Sequence, residues 1–129
     1  MQTFNKDERL SAEKIIDKLF SGGKSFLIYP YRVVWMEHET NAQYPAQILI
    51  SVSKKKFKKA VDRNLIKRRT REAYRKNKSS FYKFLNNQNK NCVFALIYTA
   101  NEIALYKEIE RKINLILQRL QSEYEKDIR

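Results

Sequence analysis

Turn-forming residues are scarce in this chain, with two glycines and two prolines in 129 residues. That scarcity implies few tight turns and long regular elements. A single cysteine, Cys92, excludes an internal disulfide and leaves the redox compartment open. Inside its apolar run it reads as an inert buried thiol. The only histidine, His38, falls in an expected loop, where a solvated or satisfied ring is the usual state. The 14 acids are dispersed, without the spacing of paired catalytic carboxylates or metal ligands. Nothing here composes a protein-only active site. No apolar run approaches the roughly 20 residues of a membrane span, and MQTFNKDERL lacks the apolar core of a secretory leader. The expectation is one soluble, cytoplasmic domain over residues 1–129, with hydrophobic residues at 43% supplying its core.

What is abundant is positive charge, and it is concentrated. Between residues 54 and 78, thirteen Lys or Arg side chains stand against two acids, Asp62 and Glu72, so +11 of the chain's +13 lies in one stretch. The rest of the chain is close to neutral. Charge gathered in this way marks a surface for a polyanion.

Around that stretch the periodicity outlines a small domain of mixed class. Ser11 is the expected N-cap of a first helix carrying Ile15, Ile16, Leu19 and Phe20 at helical spacing and stopping at Gly22-Gly23. Residues 25–37 are β-rich, with Pro30 breaking the run or forcing an edge position. After a loop over 38–45, residues 47–53 form a strand apolar enough for burial on both faces. Residues 59–76 have helical composition without Gly or Pro. Ser79-Ser80 offers a break or a new cap before FYKFL, and NNQNKN reads as a loop. Residues 92–99 form a central strand. Thr99-Ala100-Asn101-Glu102 has capping-box spacing ahead of a long helix striped by Tyr106, Ile109, Ile113, Ile116, Leu117, Leu120 and Tyr124. The order is helix, strands, basic helix, strand, helix, an α+β class domain built as a single α/β sandwich.

On a helical wheel of about 100° per residue, Arg63, Lys67, Arg71 and Arg75 follow one another at i+4 steps, with Asn64, Arg68 and Lys78 beside them. Ile66, Thr70 and Ala73 oppose them, flanked by Leu65 and Tyr74, and can dock on the sheet. A solvated face is the ordinary meaning of a charge run. Such faces mix signs, because like charges at i,i+4 destabilise by a few tenths of a kcal/mol each. Here almost no acid relieves them, so a bound polyanion explains the pattern better than folding does. An acidic membrane fits poorly, since the opposing face is needed for the core. Duplex DNA and structured RNA both remain open on charge alone, although no preceding helix and turn, zinc spacing or heptad zipper supports the DNA reading.

The run Arg63-Asn64-Leu65-Ile66-Lys67-Arg68-Arg69-Thr70-Arg71-Glu72 resembles the signature helix of the bacterial ribonuclease P protein subunit, R-N-R-x-K-R-x-x-R-E. Ser51-Val52-Ser53-Lys54-Lys55 and Lys59-Ala60-Val61 resemble that family's strand end and the start of its helix. Arg9-Leu10, a first helix ending at Leu19-Phe20, a late apolar strand and a closing amphipathic helix also fit. The resemblance spans roughly residues 9–122, its specific part lying in 51–72. Leu65 stands where the family usually has arginine, which either removes one RNA contact or passes it to a neighbour such as Arg69. The long 37–47 connection is a second departure.

The resemblance implies a fold like that of ribosomal protein S5 domain 2, with a left-handed βαβ crossover. It implies an endoribonuclease holoenzyme that removes the 5′ leader of precursor tRNA, with ribonuclease P RNA and precursor tRNA as partners. No membrane and no obligate protein partner is expected. The chemistry and the Mg²⁺ ions would belong mainly to the RNA, and the protein alone would hold no tight cofactor and no catalytic residue. RNA phosphates are expected at Lys54, Lys55, Lys56, Arg63, Lys67, Arg68, Arg71 and Arg75, with Asn64 as a polar contact able to help order a hydrated metal. The leader is expected in a cleft lined by Ile16, Phe20, Tyr31 and Trp35, where aromatic stacking beside a cationic track suits single-stranded RNA. Core packing is the plain alternative for Phe20 and Trp35. A ribosomal or general structured-RNA-binding protein is the alternative function.

Overall fold

In the computed structural model, residues 4–40 and 43–128 are described; the part of the expected 38–45 loop at 41–42 lies outside them. A single 3-10 turn, Lys6–Glu8, precedes α1 (Glu13–Gly22), β1 (Lys24–Ile28), β2 (Tyr31–Glu37), β3 (Ala46–Val52), α2 (Ala60–Asn77), α3 (Ser79–Asn87), β4 (Cys92–Tyr98) and α4 (Tyr106–Ile128). The expected order holds, with local corrections. Ala12, not Ser11, occupies the N-cap of α1. Pro30 sits in the connection between two antiparallel strands, β1 and β2, and so divides the long β-rich run. Thr99 forms no capping box: its backbone and side chain both donate to the Pro30 carbonyl, and α4 begins at Tyr106. Gly23 ends α1 because backbone crowds it. A Cβ there would lie 2.5 Å from the Leu19 carbonyl oxygen.

The four strands run β1-β2-β4-β3, antiparallel except for the parallel pair β3 and β4, which α2 and α3 connect. Side-chain alternation splits the sheet into two unequal faces. One carries Phe26, Tyr31, Val33, Trp35, Ile48, Phe94 and Leu96 into the main core, against Ile66, Ala73 and Tyr74 of α2, Phe81 and Leu85 of α3, and the α4 stripe. The α4 residues expected inside are buried from Ile109 to Tyr124, with Tyr106 half-buried at the helix start. The other face receives α1 and the segment before it, whose Leu19 and Leu10 pack with Val34, Val93 and Ala95. Three helices cover one side and one short helix the other. Part of the sheet therefore stays open.

Candidate nucleic-acid interface

α2 is helical because 18 residues pass without Gly or Pro. No side chain caps its N-terminus, and the turn before it is held in other ways. The Ser53 hydroxyl accepts from the Lys55 and Lys56 amides at 3.1 and 3.4 Å. The Arg63 guanidinium reaches back to the carbonyls of Phe57 and Lys58 at 2.8 and 3.0 Å. Lys56 donates to the Thr99 carbonyl. Lys54 and Lys55 stand exposed at the helix approach.

The wheel is realised in three dimensions. Ile66, Thr70, Ala73 and Tyr74 are buried, while Asn64 and Arg68 are exposed and Lys67 and Arg71 half-exposed. Among the described residues no carboxylate pairs with Lys67, Arg68 or Arg71. Arg75 differs: Glu72 grips its guanidinium through two hydrogen bonds, at 3.0 and 2.6 Å. That contact holds the Glu72 carboxyl below its usual range and raises the Arg75 pKa. Lys78, placed by the wheel beside the cationic face, is instead buried against Glu8. Arg69 donates to the Ala104 carbonyl at 2.7 Å. It points that nitrogen to the approach of α4 and stays half-exposed.

Lys67 and Arg71 share a cleft of about 210 Å³ with Phe4, Arg9, Leu10 and the β3 residues Ile48–Ile50. Partial burial, and then the Arg9 charge, lower the Arg71 pKa. Arg9 had signalled only as part of an Arg-Leu pattern. Its place here depends on an isolated parallel bridge to Ile48, which local sequence does not announce.

The expected leader cleft needs correcting at two residues. Tyr31 and Trp35 are 0% and 2% exposed, and both belong to the main core with α2 and α4. Trp35 packs on Tyr124 at 5.1 Å, and neither ring can stack on RNA from there. Ile16 and Phe20 do lie on the α1 side: Ile16 packs in the smaller cluster, and Phe20 is 47% exposed. The strand residues sharing that side are Arg32, Val34 and Met36, one position out of phase with the expectation. Leu27, Arg32, Ile97 and Ser51 are in register across all four strands. Leu27 and Arg32 in this row are exposed, and Ile97 and Ser51 are half-buried.

Residues 4–121 match the family model described as Ribonuclease P. The chain belongs to the ribonuclease P protein family. The ribonuclease P protein component of Porphyromonas gingivalis strain ATCC 33277 is 37% identical over 117 residues, covering 90% of this chain and 85% of that protein. The Chlorobium phaeobacteroides component is 35% identical over 85 residues, 64% of this chain and 58% of that one. The Thermotoga maritima ribonuclease P protein superposes with a TM-score of 0.67 at 25% identity, covering 87% of this chain and 96% of that one. A Staphylococcus aureus ribonuclease P protein has a TM-score of 0.69 at 22% identity over 89% and 96%, which speaks for the fold alone. Family membership makes the chain a subunit of ribonuclease P in tRNA processing. Among the described residues no three His, Cys, Asp or Glu side chains come together as a metal site, and no helix is long and apolar enough to cross a membrane.

Proposed function

We propose that the protein binds the RNA subunit of ribonuclease P through the outer face of α2 and receives the 5′ leader of precursor tRNA on the open side of the sheet. The carrying observation is the run of cations at Lys67, Arg68 and Arg71, without carboxylate partners among the described residues, on a helix whose opposite side is buried. Lys54, Lys55 and Asn64 extend that surface. Arg63 contributes the donors its own turn does not use, while Lys56 is engaged by the Thr99 carbonyl and Arg75 is partly neutralised by Glu72. Ile16, Phe20, Arg32 and Ile97 supply an apolar floor with one cation, which suits a single strand.

In this reading the RNA binds Mg²⁺ and performs phosphodiester hydrolysis. The chain's own groups lower the repulsion between two polyanions and hold the leader in place. The site of action is the cytoplasm. No step passes through a protein-bound metal.

Reconstitution tests the proposal. Protein, a bacterial ribonuclease P RNA and a precursor tRNA are mixed at low Mg²⁺, and leader release is followed. Stimulation over RNA alone is expected, and should be lost on neutralising Arg63, Lys67, Arg68 and Arg71 together. Intact RNA binding without stimulation would favour a general RNA-binding role.

A further inference from the structure

Glu8 and Lys78 are 70 residues apart in sequence and form a buried ion pair, Nζ to Oε2 at 2.5 Å, with Glu8 fully buried and Lys78 6% exposed. Taking both charges out of water is unfavourable, so such a pair is weak evidence for stability and invites a positional explanation. The Glu8 carboxylate also accepts from the Tyr82 hydroxyl at 2.5 Å and from the Asn5 amide at 2.9 Å. Tyr82 in turn accepts from Tyr74 at 2.9 Å. This network pins the 3-10 turn Lys6–Glu8 to the junction of α2 and α3.

The next residue is Arg9. Its guanidinium lies 5.6 Å from the centre of the Phe4 ring, and Phe4 meets Tyr74 edge-on at 6.0 Å. On its other side, the Leu10 amide donates to the Ile48 carbonyl at 2.9 Å. Arg9 is thus held from both directions, in the cleft that Lys67 and Arg71 line. No carboxylate pairs with any of the three among the described residues. Like charges assembled without an acid repel one another, and an anion between them removes that repulsion.

We infer that Arg9 is a further phosphate contact, acting with Lys67 and Arg71 on an RNA backbone, and that Glu8 is a positioning residue holding Arg9 in place through Lys78 and Tyr82. This rests on α2 being an RNA-binding face. The phosphate can belong to the RNA subunit or to the precursor.

Two measurements separate these sources: binding of the full-length protein to ribonuclease P RNA across a salt series, and binding of precursor tRNA by the assembled holoenzyme across the same series. Arg9→Ala should lower the slope of log K against log salt by about 0.7–0.9 in one of them, and the series that moves identifies the phosphate. Glu8→Gln should produce the same drop, and Arg9→Ala/Glu8→Gln should be no weaker than Arg9→Ala. A Glu8 that only supports folding would add its loss to that of Arg9→Ala, which would overturn the positioning role. Where Glu8→Gln impairs folding, Glu8→Gln/Lys78→Met removes both buried charges together; a native slope in that variant would also overturn the role. Unchanged slopes for Arg9→Ala in both series would overturn the contact. If Lys67→Ala and Arg71→Ala leave both unmoved as well, the reading of α2 itself has failed.

Discussion

The Tyr31 hydroxyl on β2 meets the Thr70 hydroxyl on α2 at 2.7 Å, inside the core. Thr70 spends its own proton on the Ile66 carbonyl at 2.8 Å, which leaves Tyr31 as the donor. Burial raises the Tyr31 pKa, opposed in part by this hydrogen bond. The contact joins the first residue of β2 to the middle of the basic helix. It goes with the rotation that turns Ile66, Thr70 and Ala73 inward and leaves Lys67, Arg68 and Arg71 outside.

Thr70→Val strands the Tyr31 hydroxyl without an acceptor and should destabilise the fold by about 1–3 kcal/mol. Tyr31→Phe removes the donor itself and leaves Thr70 bonded to Ile66, so its loss should be smaller. Urea unfolding would show both as shifts in midpoint at an unchanged m-value. The reverse ranking would contradict the donor assignment.

Trp35 is enclosed between Tyr124 and the Lys24 ammonium, which lies 5.3 Å from the centre of its ring. Its emission should be resistant to acrylamide and should not change when leader-bearing RNA is added. Phe20→Ala, by contrast, should weaken holoenzyme binding of leader-bearing precursor more than of mature tRNA. A leader-dependent change at Trp35 would mean the sheet faces are assigned wrongly.

Arg68 is exposed and Arg75 is clasped by Glu72, so the two should respond differently to replacement. Arg68→Ala should reduce the salt dependence of RNA binding by about one phosphate contact. Arg75→Ala should reduce it less, because binding through Arg75 first requires giving up its carboxylate. Raising the salt dependence by Glu72→Gln would support that account. Equal slopes for the two alanine variants would count against it.

Cys92 is fully buried, and burial pushes its thiol up from 9.0 to about 12. In the unfolded chain it ionises near its ordinary value. Its contribution to stability is therefore complete below about pH 9 and is lost as the pH rises toward 12. Native protein at pH 8 should resist thiol reagents and react promptly in denaturant. Rapid labelling of the native chain would show that β4 opens readily.

Much of this molecule is local physics and could be read from the order of residues. An unbroken basic run facing Ile66, Thr70 and Ala73 determines both the helix and its two sides, since 3.6-residue periodicity needs no distant partner. The α4 stripe, the burial of Cys92 and the family signature in 51–72 were legible from local sequence in the same way. The facing of β2 was not: Tyr31, Val33, Val34 and Trp35 are apolar on both sides of the strand, so alternation carries no signal. Only the unequal covering of the sheet, with α2, α3 and α4 on one side and α1 on the other, decided that Tyr31 and Trp35 are core and Arg32 is surface. Tertiary structure likewise decided which cations stay available. Lys78 was withdrawn by Glu8 from 70 residues away and Arg69 was turned toward the Ala104 carbonyl, because a charge's partner depends on which surfaces meet when the chain closes.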